Sequence, residues 1–429
     1  MTLPPDHPQR FELNDEVHAR PPEALTPPVR LSYLALYSNL SLRDQEHALV
    51  AELAARHGKP PPARDASHYS ADLGPYRVKW ERHTEFTRYK FIIAGACEDP
   101  FGEPAIAAVP ADWIARLPGQ TLVAAHAALL PKGAAPEPDA IARTLFAGNV
   151  LVGARVAGGA GHAFTDFRIH GDGFSRLLVQ DEGMTARQAG RMIQRLLEID
   201  SYRMLALLAL PVARALTPFL NRCERDLAEI TAAMATAREQ DEPTLLERLT
   251  RLEADIEKRH AENHYRFTAA AAYYELVQRR IAELREERIQ GLQTFQEFME
   301  RRLAPAIQTC VGTSSRQESL SRRVARASQL LSTRVEIARQ RQNQALLESM
   351  NRRAKLQLRL QQTVEGLSVA AITYYVVGLV GYAAKGLKVA GVPLNAETVT
   401  AASIPLVALL IALGVRRIRR MVSRMPEGS

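Results

Sequence analysis

The chain has 429 residues, of which 46% are hydrophobic and 24% are charged, and its formal net charge is +8. This length exceeds one ordinary hydrophobic core, so we expect two or three structural units. Cys97, Cys223 and Cys310 are far apart in sequence, which excludes a disulfide framework and a zinc knuckle and indicates a reducing compartment. The N-terminal segment mixes proline with charged residues and has no apolar stretch of the kind that a secretory signal needs.

The first predicted domain, residues 1–182, has the pattern of an α/β domain. An apolar run predicts a strand at 30–38, helical spacing predicts a helix at 42–57, and alternation predicts one long strand or a hairpin at 76–93. Strands interleaved with short helices indicate a sheet covered by helices, and hence an α+β fold for the whole chain. The remaining predicted elements are a helix at 104–117, a strand or buried helix at 121–130, a short helix at 140–146, and strands at 150–156 and 163–169.

The second predicted domain, residues 183–363, is a region of long helices that forms a stalk. Pro211 and Pro218 imply a kink or a short break, and the residues around Pro243 predict a turn between two long antiparallel helices. A further break is predicted at 303–315. After it, apolar residues at 320, 324, 327 and 331, and again at 360, 364 and 367, form a heptad-like seam that indicates a coiled coil. An unbroken helix over 320–384 would be roughly 95 Å long.

The third predicted domain, residues 364–429, contains a two-helix transmembrane hairpin. The stretches 367–384 and 398–415 have 18 residues each and no charged side chain. Each would extend about 27 Å as a helix, close to the thickness of the hydrocarbon core of a bilayer. Their glycine, alanine and tyrosine content favours a membrane over the alternative, a buried core hairpin of a soluble protein.

Basic residues flank this hairpin on one side. Nine of them lie outside the two stretches, whereas the connecting loop has only Lys385 and Lys388 against Glu397. This asymmetry predicts that both termini are cytoplasmic and that membrane lipids are partners. No nucleic-acid partner is expected, because aromatic residues do not interleave with the basic ones. The nine flanking residues are Arg352, Arg353, Lys355, Arg359, Arg416, Arg417, Arg419, Arg420 and Arg424.

One helical segment could present metal ligands. Glu257, His260 and His264 share a helix face, although a solvated face is the alternative interpretation. In the N-terminal segment FELNDEVHARP, His18 and Arg20 are candidate functional side chains, and the alternative is an arm that docks on the α/β domain.

A second polar segment follows the run GGAGH at 158–162. This run predicts a tight hairpin turn and not a phosphate-binding loop, because no Gly-Lys-Ser/Thr ending follows. His162, Asp166, His170 and Asp172 could bind an ion, or could be ordinary loop and edge-strand polarity. No spacing typical of a nucleophile with its base, or of paired carboxylates, is present, so we predict no catalytic residue and no enzyme, and we assign no cofactor.

Three segments carry a resemblance that covers essentially the whole chain. They are FELNDEVHARP (11–21), AGRMIQRLLEIDSYRMLALLALP (189–211) and QTVEGLSVAAITYYVVGLVGY (362–382). They resemble a bacterial family described only as uncharacterised membrane-anchored proteins. The resemblance implies a multi-pass protein of the bacterial inner (cytoplasmic) membrane and implies no particular activity.

The order of the parts resembles that of the CorA-type magnesium transporters, in which five stalk helices line a pore and a Gly-Met-Asn motif closes the first span. The corresponding residues here, 381–387, read GYAAKGL, so no ion-selecting residue of that family is carried over. The resemblance implies a homo-oligomer that passes an ion or small solute, with a divalent cation as a candidate partner. Within the first span, Ser368, Thr373, Tyr374 and Tyr375 are the candidate pore-lining residues.

Two alternatives remain beside transport. The first is a non-transporting anchor or scaffold that holds the cytoplasmic domain at the membrane for a partner. The second is an enzyme in the α/β domain that uses His18 or the segment 162–170.

Overall fold

The computed structural model describes residues 4–11, 13–14, 21–96, 98–133, 137–390 and 395–422. The chain divides into two compact units, Met1–Thr236 with Thr244–Gln329 and Ala237–Pro243 with Leu330–Ser429, and each is described by itself. The boundaries predicted after residues 182 and 363 stay predictions.

The first unit is built on a mixed β-sheet, which confirms the α+β class. Nine strands among the described residues form the sheet in the order β2-β3-β4-β1-β5-β8-β7-β6-β9. All neighbours are antiparallel except β5 and β8, which are parallel. The strands are β1 (Val29–Tyr37), β2 (His68–Asp72), β3 (Arg77–Arg82), β4 (Phe86–Ala94), β5 (Gln120–Leu130), β6 (Val152–Val156), β7 (Gly161–Thr165), β8 (Ser175–Asp181) and β9 (Glu287–Arg288).

Nine α-helices, short and long, account for most of the rest of the described chain. They are α1 (Arg43–Arg56), α2 (Ala111–Ile114), α3 (Pro138–Leu145), α4 (Ala186–Leu207), α5 (Ala209–Thr236), α6 (Glu242–Leu284), α7 (Phe295–Arg302), α8 (Ala304–Val389) and α9 (Ala396–Val422).

Both faces of the sheet are covered. Strand β1 lies in the middle and is buried on both sides, which explains why its sequence is a continuous apolar run and not an alternation. On one face, Leu34 packs with Leu53 of α1 and with the aromatic rings of Trp80 and Trp113. On the other face, the apolar side of α4 packs on the sheet. Helix α4 begins with a capping box, in which Thr185 and Gln188 each satisfy the other's backbone N–H.

The two prolines of the helical region act differently. Helix α4 ends at Leu207, four residues before Pro211, because a proline ring clashes with the carbonyl of the residue four positions earlier. Pro218 lies inside α5 without ending it. The turn predicted around Pro243 falls between α5 and α6. The Arg259 guanidinium lies 5.6 Å from the centroid of the Phe219 ring, as expected for an antiparallel pair of helices.

Two sequence predictions are wrong in this unit. Residues 104–117 do not form one helix: a 3₁₀ turn (Ala105–Ala108) and α2 are separated at Pro110, which lacks a donor for a continuing helix. The break predicted at 303–315 is also wrong in its extent: it is confined to a turn at Leu303, between the end of α7 at Arg302 and the start of α8 at Ala304. Its proline, Pro305, lies in the first turn, where a missing N–H costs nothing. Strands β2, β8 and β9 were not predicted, and neither was the end of the long helix α6 at Leu284.

Candidate functional site

The second unit contains an apolar helical hairpin. It comprises the last part of α8, from residue 367 onward, and α9. The most apolar 18-residue windows of α8 and α9 have mean hydropathies of 1.7 and 2.2, so both helices are long and apolar enough to cross a membrane. Large side chains there are mostly exposed: Leu379 is 68% exposed, Leu409 61% and Leu410 62%.

A third helical stretch, Ala186–Thr236, is also long and apolar enough, with a mean hydropathy of 1.5. In the most apolar 18 residues of that stretch, 33% of the residues are buried, compared with 11% in the corresponding part of α8 and none in that of α9. Leu196 and Ile199 of α4, for example, belong to the core that covers the sheet. Packing within the sheet-containing unit therefore buries part of this apolar stretch, whereas most large apolar side chains of the hairpin are exposed.

The two hairpin helices approach closely at Gly381. A Cβ atom at that position would lie 3.2 Å from Oγ1 of Thr400 on α9, so the glycine allows the contact. An open groove of about 1020 Å³ runs between the helices and is lined in part by Tyr374, Gly378 and Tyr382.

The four pore-lining candidates lie on α8. Two of them form hydrogen bonds within the helix, and the other two are strongly exposed. The hydroxyl of Ser368 donates to the carbonyl oxygen of Val364 at 2.9 Å, and that of Thr373 donates to Val369 at 2.7 Å. These donors are satisfied within the helix and need no water. Tyr374 and Tyr375 are 77% and 72% exposed. The tyrosines are thus the stronger candidates of the four.

The predicted charge flanks are exposed where the structure describes them. Arg352, Arg353, Lys355 and Arg359 on α8 have exposed side chains, and so do Arg416 and Arg417 near the end of α9. Arg424 lies outside the described residues. Other basic residues of α8 pair with acidic ones: Arg316 donates to Glu224 of α5 at 2.7 Å, and Arg341 lies 3.7 Å from Glu239, in the turn before α6.

The coiled coil stays a prediction. Leu320 and Val324 of the heptad-like seam are buried, and nearby Gln317 donates to the carbonyl oxygen of Ile256 on α6. The C-terminal part of the seam, represented by Leu360, is exposed. The N-terminal part, which contains Leu320 and Val324, therefore packs within one chain.

The candidate metal ligands on α6 are not joined by further ligands. Glu257 accepts a hydrogen bond from Ser321, and the rings of His260 and His264 lie 5.0 Å apart. Across the described ranges, no group of three histidine, cysteine, aspartate or glutamate side chains is close enough to hold a metal ion. His18 and Arg20 lie outside those ranges.

The polar segment after GGAGH is divided among three pairs. His170 Nε2 lies 2.9 Å from Asp166, which also accepts from the Asn149 amide, so this pair fastens the loop after β7. His162 lies 3.8 Å from Glu182. Asp172 instead lies 3.9 Å from His126, a residue that the sequence did not single out. No common ion site is formed by the four.

Ser32, His126 and Asp172 form a line that resembles a hydrolytic triad. Ser32 Oγ lies 3.0 Å from His126 Nδ1, and the His126 ring stacks on Phe174. Ser32 has no exposed surface, however, and its oxygen accepts from the backbone N–H of Ile106. Burial lowers the pKa of His126 to about 4 despite Asp172. A substrate could not reach Ser32, so the contacts among Ser32, His126 and Asp172 are structural.

The sheet carries a buried charge cluster, defined as Lys79, Glu81, Arg88, Lys90, Glu198 and Arg280. Strands β3 and β4 place Lys79 opposite Lys90 and Glu81 opposite Arg88, all on the face covered by α4. Arg88 donates to Glu81 and, at 3.1 Å, to Glu198 of α4. Arg280 of α6 binds the other oxygen of Glu198 at 2.5 Å. The cluster ties two strands to two helices.

Burial and neighbouring charges together set the pKa values of this cluster. It opposes ionisation of Glu81, but Lys90, Arg88 and Lys79 together lower the pKa of this carboxyl well below its usual range. Burial and Arg88 lower the pKa of Lys90 to about 7, although Glu81 lies 3.6 Å from its amine. Alternation in RVKWER and FTRYK places these charges on one face, and this was the only sequence signal for them.

Pro21 and Glu23 reach the edge of the cluster from the N-terminal segment. The carbonyl oxygen of Pro21 accepts from Lys79, and Glu23 binds Arg77 at 2.8 Å. The arm interpretation had Phe11 and Leu13 as the docking side chains, but these are 67% and 60% exposed, so the contacts with the sheet are made by Pro21 and Glu23 instead.

Comparison with known proteins identifies the family and nothing finer. No curated protein and no solved structure matches the chain. One family model matches residues 5–422, nearly the whole length, and its description is "Protein of unknown function (DUF3422)". The chain therefore belongs to the DUF3422 family of proteins of unknown function.

Proposed function

We propose that this protein is an integral membrane protein in which the hairpin of α8 and α9 anchors the sheet-containing unit to a lipid bilayer. The observation that carries the proposal is the exposure of large apolar side chains along both helices. Exposed apolar surface costs roughly 25 cal/mol per Å² in water, and hydrocarbon removes that cost. The helical backbone satisfies its own hydrogen bonds, as a bilayer requires.

The hydroxyls and glycine of the hairpin support a lipid environment. Ser368 and Thr373 donate to carbonyl groups of their own helix, so neither exposes an unsatisfied donor. The close contact of Gly381 with Thr400 is a packing mode common between membrane helices. Exposed arginines near both outer ends of the hairpin favour an orientation in which both termini are cytoplasmic.

Fractionation of cells that express the full chain tests the anchor. The native chain should stay in the membrane pellet after an alkaline wash. A double substitution, Leu379→Arg with Leu410→Arg, should release most of it, because an arginine in a span costs roughly 3 kcal/mol or more. Leu347→Arg is the matched control, since Leu347 is a comparably exposed leucine of α8 outside the apolar stretch. Complete extraction of the native chain by the wash would contradict the proposal.

Ion passage is the second candidate function, and exposure of Tyr374 and Tyr375 favours it. Their hydroxyl groups lie in an otherwise apolar stretch, where polar groups commonly mark a path for solutes. Reconstitution in liposomes with a panel of cations tests this function. Flux that is reduced by Tyr374→Phe with Tyr375→Phe would support it. No flux from a confirmed oligomer would leave anchoring or scaffolding as the function.

A further inference from the structure

A cleft between α4 and the end of α6 is lined by an excess of arginine. Its volume is about 500 Å³, within the range of small-molecule sites. We call it the arginine cleft, and its charged lining consists of Arg191, Arg195, Arg279, Arg285 and Glu283. Four guanidinium groups against one carboxylate leave a net charge of +3 in this lining.

The single carboxylate is already engaged. Glu283 accepts from Arg195 at 2.9 Å and from Arg280, a residue of the buried charge cluster, at 3.1 Å. Within the part of the chain that the structure describes, the side chains of Arg191, Arg279 and Arg285 have no ion pair and no hydrogen bond. All three are exposed. Three guanidinium groups thus face one cleft without a counter-charge.

The backbone at Arg285 determines where this residue lies in the cleft. Arg285 directly follows α6 and has a φ of 49°, a left-handed conformation that glycine usually occupies after a helix. Ala157, which also lines the cleft, has a φ of 58° and donates its N–H to the carbonyl oxygen of Leu284 at 2.8 Å. A side chain is unfavourable in this conformation. The hydrogen bond between Ala157 and Leu284 holds the end of α6 beside the residue that follows β6, and both Ala157 and Arg285 line the cleft.

The chemistry of the lining selects the ligand class. Guanidinium groups form paired, charge-assisted hydrogen bonds with phosphate oxygens, and a terminal phosphate offers three such oxygens. We propose that the arginine cleft binds an anion with a phosphate group that carries at least two negative charges. Such a group occurs in a soluble phosphate compound or in the headgroup of an anionic lipid. This site does not depend on the proposed membrane anchor, because its residues all belong to the sheet-containing unit.

Calorimetry on the full chain in non-ionic detergent at low ionic strength tests the proposal. The two titrants are inorganic pyrophosphate and a short-chain, soluble phosphatidic acid. Binding of pyrophosphate would assign a soluble phosphate, and binding of phosphatidic acid alone would assign a lipid headgroup. In either case Arg279→Gln and Arg285→Gly should weaken binding by about tenfold or more, the usual effect of losing a charge-assisted hydrogen bond. Added salt should weaken it as well.

Two controls separate binding from folding. Arg248→Gln removes an exposed arginine from the same helix and should leave affinity unchanged. Arg285→Gly relieves the left-handed backbone, so its melting temperature should equal or exceed that of the native chain while its affinity falls. The proposal is overturned if neither titrant binds, or if the Arg279 and Arg285 variants bind as tightly as the native chain.

Discussion

Apolar side chains have opposite surroundings in the two units of this protein. In the sheet-containing unit, Trp80 and Trp113 have no exposed surface. In the hairpin unit, Leu379 and Leu410 are more than 60% exposed. Hydropathy alone does not separate these regions, since Ala186–Thr236 also passes as a membrane span. Coverage by the protein itself separates them, and this difference supports the membrane proposal.

A pair of core and hairpin substitutions tests the contrast directly and should have the largest effect. Trp113→Ala should lower the free energy of unfolding of the sheet unit by about 3–5 kcal/mol, because it leaves a cavity under α1 and loses the bond from its indole N–H to Leu49. Leu410→Ala should change it by less than about 0.5 kcal/mol. Thermal unfolding of the full chain in detergent, followed by near-ultraviolet circular dichroism, measures both. Equal losses would show that protein packing covers the hairpin too.

The buried charge cluster predicts a pH dependence of intermediate size. The pKa of Lys90 is lowered to about 7, below the value of about 10.4 for a lysine in an unfolded chain. Between these values the unfolded state holds more protons, so the free energy of unfolding should rise with pH, by up to roughly 1.4 kcal/mol per unit. Melting temperatures from pH 7 to 9 should rise in the native chain relative to Lys90→Met. Parallel curves would show that Lys90 keeps its proton in the fold.

The smallest effect is expected from the hairpin hydroxyls. Ser368→Ala with Thr373→Ala removes two hydrogen bonds that are made within α8, so membrane integration should be unchanged and stability should shift by less than about 0.5 kcal/mol. Fractionation and thermal unfolding in detergent measure the two quantities. A large loss of integration would mean that these side chains contact a partner helix in the membrane.

Periodicity in the sequence predicted the elements that one local pattern determines. The α+β class, β1, α1 and the β3–β4 hairpin follow from apolar runs, helical spacing and alternation. Charge-free length predicted two helices that could span a membrane. Short elements, such as β9 with two residues, contain too few residues for a periodic pattern, so the sequence did not predict them.

The charged sites depended on contacts between distant segments. Lys79 and Glu81 alternate with Val78 and Trp80, a pattern that normally indicates one solvent-facing side of a strand. They are buried instead because Glu81 pairs with both Lys79 and Arg88. Arg88 is joined in turn to Glu198 and through it to Arg280, and these two residues lie on helices far away in sequence. The arginine cleft likewise joins α4 to the end of α6. No single-sequence spacing reveals such pairings.

Strand β9 completes the sheet late in protein synthesis. Its residues Glu287 and Arg288 pair with Arg155 and Ala154 of β6, although α4, α5 and α6 lie between the two strands in sequence. A growing chain on the ribosome therefore exposes β6 as an open edge, with unpaired backbone groups, until residue 288 has emerged. The buried charge cluster on β3 and β4 is likewise incomplete until Arg280 has been synthesised and can pair with Glu198. Such distant pairing slows folding, so the nascent chain should need protection from aggregation until its long helices are complete.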